Sequence, residues 1–270
     1  MTGPIVIGTD FRAEADRALD RAILLGEEWG SEVIVVHALD PDEGDQPPQA
    51  ELERRLAGVL PRTDARVTLR CQAGKPTAVI TDVARETGAA IIVLGVARYR
   101  NFRDYVLGSV VDQVIREASL PVLVVKSRPR AAYRRIVSAT DFHKPSRIAL
   151  EKAADLFADR QLDVVHAFSV PFEGWQQADQ VRDRMRDAEQ KVFDEFVAEL
   201  RPETRERISQ NLIYGNVHTA MLRELEEGGA DLVVIGTHGD SALRRAILGS
   251  TASDLLRLTP IDTLVVPPTS

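Results

Sequence analysis

The chain has 270 residues, 44% apolar and 28% charged, with a formal net charge of -7; this fits one large or two small folded domains and disfavours a general binder of nucleic-acid backbones. No apolar run reaches ~18 residues, so no membrane insertion is expected. The start shows no basic-then-apolar signal pattern, and the single cysteine, Cys71, allows no intrachain disulfide, so a cytoplasmic location is expected.

In chain order, Ile5-Val6-Ile7-Gly8-Thr9-Asp10-Phe11 reads as a buried strand delivering an acid to a turn. An amphipathic helix follows, with Ala15, Leu19, Ala22, Ile23 and Trp29 on its apolar side. Val33 to Ala38 is a second strand. Pro41 to Pro48 is a loop rich in Pro, Asp and Gly, expected to cover a ligand or move. A helix over Gln49 to Leu60 and a strand from Arg66 to Cys71 come next; Cys71 reads as a buried, inert thiol. Gly74 opens a helix, Ala90 to Gly95 is a strand, and Val122 to Val125 closes the half.

The pattern then repeats. Ile136-Val137-Ser138-Ala139-Thr140-Asp141-Phe142 matches the opening heptad, and Val-Val-His-Ala recurs at 35–38 and 164–167. The second copy inserts a longer charged helix from Trp175 to Leu200, with Val181, Met185, Ala188, Val192, Phe196 and Leu200 as its expected apolar face. Gly215 matches Gly74, Asp231 to Gly236 matches Ala90 to Gly95, and Thr263 to Val266 matches the last strand. Each half reads β-α-β-α-β-α-β-α-β, and strands apolar throughout imply a parallel sheet covered on both faces. The fold class is therefore α/β, with two repeated open parallel-sheet domains divided at 1–128 and 129–270. The basic joint, Lys126 to Arg135, reads as a solvated linker. Two like domains in one chain suit an intrachain pseudo-dimer, with a further homodimer open.

The chemistry gathers at strand ends in the second half, where open α/β sheets bind ligands. Gly236-Thr237-His238-Gly239 follows a strand as a glycine turn; nine residues later Gly249-Ser250-Thr251 starts a helix. Glycine lets a ligand approach the backbone, and a first helical turn has spare N–H groups for an anion. The two clusters can clasp a phosphate chain. This is no Walker A loop, since no Gly-Lys-Ser/Thr follows the glycines. Asp141 can bind Mg2+ or accept from a sugar hydroxyl, or it can simply cap the helix at Pro145-Ser146. His37, His143, His166 and His238 show no zinc-like spacing and form no catalytic triad.

Thr140-Asp141-Phe142, Val165-His166-Ala167, Ala230-Asp231, Ile235-Gly236-Thr237-His238-Gly239 and Gly249-Ser250-Thr251 together make the chain resemble a tandem universal stress protein over nearly its whole length. The resemblance implies a Rossmann-like sandwich of five parallel strands per domain in the order 3-2-1-4-5. It also implies an ATP site in the second half, with ATP accompanied by Mg2+. Asp141 falls at the first-strand aspartate and Ala167 at the backbone contact to adenine. Ile235, Gly236, Gly239, Gly249, Ser250 and Thr251 fall at ribose and phosphate contacts, with Ala139 and Thr140 beside base and sugar. The first half departs from the pattern: Gly95-Val96-Ala97-Arg98 replaces Gly-x-x-Gly, so weak or absent binding is expected there.

The leading reading is an ATP-binding stress-response or regulatory protein that acts on a protein partner. A slow Mg-dependent ATPase or phosphoryl-transfer enzyme lacks a persuasive base to position water. A nucleotide-independent adaptor built on the long charged helix is the structural alternative. A dinucleotide oxidoreductase is disfavoured, because neither first turn carries Gly-x-Gly-x-x-Gly.

Overall fold

The computed structural model describes residues 3–268 except 12, 40–41, 43–46, 97, 102–103, 171–177 and 241–244. Most of the Pro41–Pro48 loop, the start of the expected 175–200 helix, and the side chains of Arg98 and His238 thus lie outside the described residues.

The first half runs β1 (Ile5–Gly8), α1 (Ala13–Trp29), β2 (Val33–Leu39), α2 (Gln49–Val59), β3 (Val67–Ala73), α3 (Pro76–Glu86), β4 (Ile91–Gly95), β5 (Arg98–Asn101), β6 (Asp104–Val106), α4 (Ser109–Glu117) and β7 (Val122–Val125). The second runs β8 (Ile136–Ala139), α5 (Lys144–Leu156), β9 (Leu162–Phe168), α6 (Ala178–Ala198), α7 (Pro202–Arg205), β10 (Ile208–Tyr214), α8 (Val217–Glu227), β11 (Leu232–Gly236), β12 (His238–Asp240), β13 (Arg245–Ile247), α9 (Ser250–Leu258) and β14 (Asp262–Val266). The strand orders are β3-β2-β1-β4-β7 and β10-β9-β8-β11-β14, which is 3-2-1-4-5 in each half. Within each half, every pairing of these five strands is parallel. β7 and β14 pair antiparallel, Leu123 opposite Leu264, and fuse the halves into one ten-stranded sheet.

The strands are apolar throughout because both faces are covered. Helices α1, α2, α5 and α6 close one face and α3, α4, α8 and α9 the other. Each core layer draws residues from both halves, so apolar burial runs unbroken across the seam. Gly74 and Gly215 both take φ +138 just ahead of α3 and α8, a conformation that suits glycine alone.

Four expectations need correction. The segment read as a glycine turn is a hairpin: β12 pairs antiparallel with β13, as β5 does with β6. Nine residues between glycine clusters are enough for two short strands, which satisfy one another's backbone groups. Each hairpin reaches across the seam, β6 to α9 and β13 to α4.

The face of α6 holds only in part: Met185, Phe196 and Leu200 pack on the core as expected, and the rest do not. Phe193, Phe196, Val197 and Leu200 are buried, while Val181 and Val192 are 44% and 43% exposed and Ala188 is exposed. The helix has 21 residues, a length of about 32 Å, against about 23 Å for a seven-residue strand. Its first turns therefore overhang the sheet.

The linker is not a solvated tether, because Lys126 and Tyr133 are each only 1% exposed. Lys126 Nζ donates to Thr259 O (3.0 Å) and Thr263 Oγ1 (2.9 Å), and Tyr133 Oη donates to Asp262 Oδ2 (2.6 Å). Arg21 lies over the Tyr133 ring, 3.8 Å from its centroid, and sets Nε 3.4 Å from Asp262. Polar groups buried together in this way must satisfy one another. Finally, Cys71 sits half-buried on the edge strand β3. Burial, and then the charge of Glu53, push its thiol up, away from a reactive thiolate.

Candidate functional site

In the second half the sheet order reverses at β8, which has β9 on one side and β11 on the other. At such a switch point the two crossovers leave on opposite faces and part from each other, opening a crevice at the carboxyl ends. A cavity of about 380 Å³ lies there, within the range of about 300–1,000 Å³ usual for small-molecule sites. Its walls are Ala139, Thr140 and Asp141 after β8, Pro145 and Ser146 from α5, and Val165, His166 and Ala167 of β9. Val217 and Met221 of α8, Ile235 and Gly236 of β11, and Gly249, Ser250, Thr251, Ala252 and Leu255 at α9 complete it. Nine of the ten residues named from sequence thus share one cavity. The tenth, Gly239, is in β12, and its surroundings lie outside the described residues.

A strained turn sets the position of Asp141. Phe142, directly after it, has φ 63, as Phe11 has φ 57 in the first half. This left-handed conformation costs a residue with a side chain roughly 1–2 kcal/mol. Packing holds it: the Phe142 ring stacks on His166 (4.1 Å between centroids) and meets Phe193 at 5.1 Å. Its amide donates to Thr140 Oγ1 at 3.0 Å. Asp141 Oδ1 accepts from the His143 amide (3.1 Å) and the Ser146 hydroxyl (2.8 Å). Half-burial alone would raise the Asp141 carboxyl, but these two bonds and the nearby His143 outweigh it and hold it below the ordinary value. Asp141 is therefore an ionised acceptor, and it also serves as the cap of the α5 turn. His166 Nδ1 donates to Thr140 O at 2.8 Å, which ties β9 to the same turn.

The opposite wall is an open helix start. Gly249 caps α9 without any side-chain bond, whereas Asn216 Oδ1 accepts from the His218 and Thr219 amides at the start of α8. The first amides of α9 thus have no side-chain cap and can receive an anion. Gly236 brings its backbone hard against α5: a Cβ there would stand 2.5 Å from Pro145 O. Between the two polar ends, Val165, Val217, Met221, Ile235 and Leu255 form an apolar wall suited to a flat ring. Among the described residues no group of three or more His, Cys, Asp or Glu can hold a metal ion. Asp141 offers one carboxylate, so a hard cation would need ligand oxygens and water to complete its shell.

The equivalent strand end of the first half carries different side chains. Ile80 takes the place of Met221 and Gly8 that of Ala139. A Cβ on Gly8 would lie 2.6 Å from Ile80 Cδ1, so Ile80 stands close over this strand end. Ala15 replaces Ser146 and brings no hydroxyl to Asp10. Sequence reading passed over Ser146 as a ligand-side residue, along with Val217, Met221 and Leu255. The Met221/Ile80 and Ser146/Ala15 differences between the aligned copies were the available signal.

Fold and cavity together define a tandem, doubly wound α/β protein with a ligand-sized cleft at the switch point of its second half. The chain belongs to the universal stress protein family, whose sequence model matches residues 1–126 and again 132–267. Universal stress protein MT1672 of Mycobacterium tuberculosis is 27% identical over 146 residues, which is 50% of this chain and 97% of that protein. Matches to relatives from Synechocystis and Mycolicibacterium smegmatis take in 20% and 46% of those proteins' lengths. The crystal structure of a universal stress protein from Archaeoglobus fulgidus shares the fold over 98% of each chain, with 18% identity and a TM-score of 0.67. A universal stress protein from the same organism, solved in complex with dAMP, is 27% identical, covers 45% of this chain and 96% of its own, and has a TM-score of 0.38. No helix among the described residues is long and apolar enough to cross a membrane.

Proposed function

We propose that this chain is an ATP-binding regulatory protein of the cytoplasm that takes one nucleotide, in the 129–270 half, while the 1–128 half is its non-binding partner. The observation that carries this reading is a single cavity with an ionised carboxylate at one end, an uncapped helix start at the other and an apolar wall between. Adenine lies on the wall beside Ala167, the ribose near Asp141, and the phosphates at the amides of Ser250 and Thr251. Mg2+ enters with the phosphates, with Asp141 as its candidate protein ligand. Gly239, in β12, contacts the phosphates through its backbone. Occupancy alters the β12–β13 hairpin, which crosses to α4, and so biases the surface offered to a protein partner.

Calorimetry of nucleotide-free protein with ATP and Mg2+ tests the reading. One saturable site per chain is expected. Ala139→Leu, which fills the floor of the cavity, should weaken it by roughly 30-fold or more, a loss of about 2 kcal/mol. Asp10→Ala, at the twin position, should leave it unchanged. Two sites, or a site indifferent to Ala139→Leu, would overturn the assignment.

A further inference from the structure

The two halves bridge the helices flanking their strand ends in different ways. In the first half, Thr77 of α3 donates to Gln113 of α4, Oγ1 to Oε1, at 2.8 Å. The same two positions in the second half are His218 of α8 and Asp254 of α9, with Nδ1 2.8 Å from Oδ2. A neutral bond in one copy is thus an ionisable pair in the other. The pair belongs to the cavity frame: His218 follows Val217 and Asp254 precedes Leu255, both wall residues. Asp254 also stands about one turn from Ser250, where the anion end of the cavity lies.

We propose that the His218–Asp254 bridge sets the affinity of the cavity for polyphosphate according to whether His218 is protonated. The idea rests on the nucleotide reading above. A carboxylate one turn inside the start of α9 opposes an incoming phosphate, both through its own charge and by weakening the helix-end field. A protonated His218 cancels that charge; a neutral one leaves it. The imidazole Nδ1 is shielded from solvent and has no well-directed hydrogen bond despite its closeness to Asp254. Hence little besides Asp254 answers its charge. Among the described residues, the ion pair His218 makes is with Asp254. Of the charged groups on the elements packed on α8, Asp163 of β9 and Glu224 of α8 itself bind Arg135, His166 of β9 faces Glu189, Arg223 pairs with Glu227 within α8, and Glu226 and the α9 last-turn Arg257 are exposed. A bound polyphosphate favours the protonated imidazole, so proton and polyphosphate bind together.

The test uses the full chain and the double variant His218→Thr with Asp254→Gln, which installs the pair already accommodated in the first half. Dissociation constants for ATP are measured at pH 6 and pH 8 for both proteins, and each is expressed as a wild-type to variant ratio. The ratio removes protonation of the ligand itself. Wild-type affinity relative to the variant should fall by about threefold from pH 6 to pH 8, the scale of a partly exposed ion pair. With adenosine, which has no phosphate, the ratio should stay constant. Asp254→Asn should tighten ATP at pH 8 and leave it nearly unchanged at pH 6. An ATP ratio that does not move with pH, or an adenosine ratio that moves equally, overturns the proposal. Inorganic tripolyphosphate separates the two readings. If it shows the shift while ATP does not bind, the bridge stands and the nucleotide assignment fails; if neither binds, both fail.

Discussion

Ser146 supplies one hydroxyl by which the two strand ends differ. Its Oγ sits 2.8 Å from Asp141 Oδ1, 2.8 Å from His143 O and 3.0 Å from Thr140 Oγ1, so it ties the strand end to the first turn of α5. Ser146→Ala would recreate the Ala15 environment of the first half. Loss of one buried hydrogen bond to a charged group is worth about 1–2 kcal/mol. Nucleotide affinity should therefore drop by roughly 5- to 30-fold, and the midpoint of urea unfolding should fall as well. The Asp141 carboxyl should titrate higher in the variant, which carbon-detected NMR would read. The sign follows from its depressed value in the wild type: the stability it lends is present above the ordinary carboxylate pKa and is lost as pH falls through the lower folded one. An Asp141 titration unmoved by Ser146→Ala would mean that the His143 amide alone holds the group.

At the level of the elements, α6 separates what periodicity tells from what packing decides. Its sequence offers one apolar face through Val181, Met185, Ala188, Val192, Phe196 and Leu200, of which Phe196 and Leu200 are buried beside Phe193 and Val197 and Met185 packs against the core, while Val181, Ala188 and Val192 are exposed. Phe193→Ala should cost about 3–5 kcal/mol and Val192→Ala less than about 0.5 kcal/mol; equal costs in denaturant titrations would place α6 differently on β10. The sequence did reveal the repeat, the strand order implied by the family resemblance, and nine residues of the cavity wall, because apolar strands and strand-end motifs are local signals. It did not reveal the hairpins, since two strands of three residues leave too short a pattern to read. Nor did it reveal the Ile80 side chain over Gly8, a contact between residues far apart in the chain.

For the whole molecule, the seam decides how firmly two domains act as one body. Burial pushes Lys126 down to about 7, against the pull of Asp262 in the other direction. The unfolded lysine keeps its proton to about 10.4, so between these limits the unfolded chain binds more protons and stability rises with pH. Below about pH 7 both states hold the proton and the burial penalty is full. The stability of Lys126→Met minus that of the wild type should accordingly be greatest at pH 6 and shrink steadily by pH 9.5, read from urea titrations across that span. A difference that stays constant would show that the ammonium loses its proton alike in the folded and unfolded chain. The same cluster has a consequence for heredity as well as for energy. In an association of two identical chains about a two-fold axis, any residue placed at such a contact occurs twice. Here Lys126 aligns with Pro267 and Asp262 with Pro121, so the charged cluster stands on one side of the axis only. The two copies thus differ at their own contact surface. A gene cut between the halves would yield two polypeptides complementary to each other, and each poorly matched to a second copy of itself.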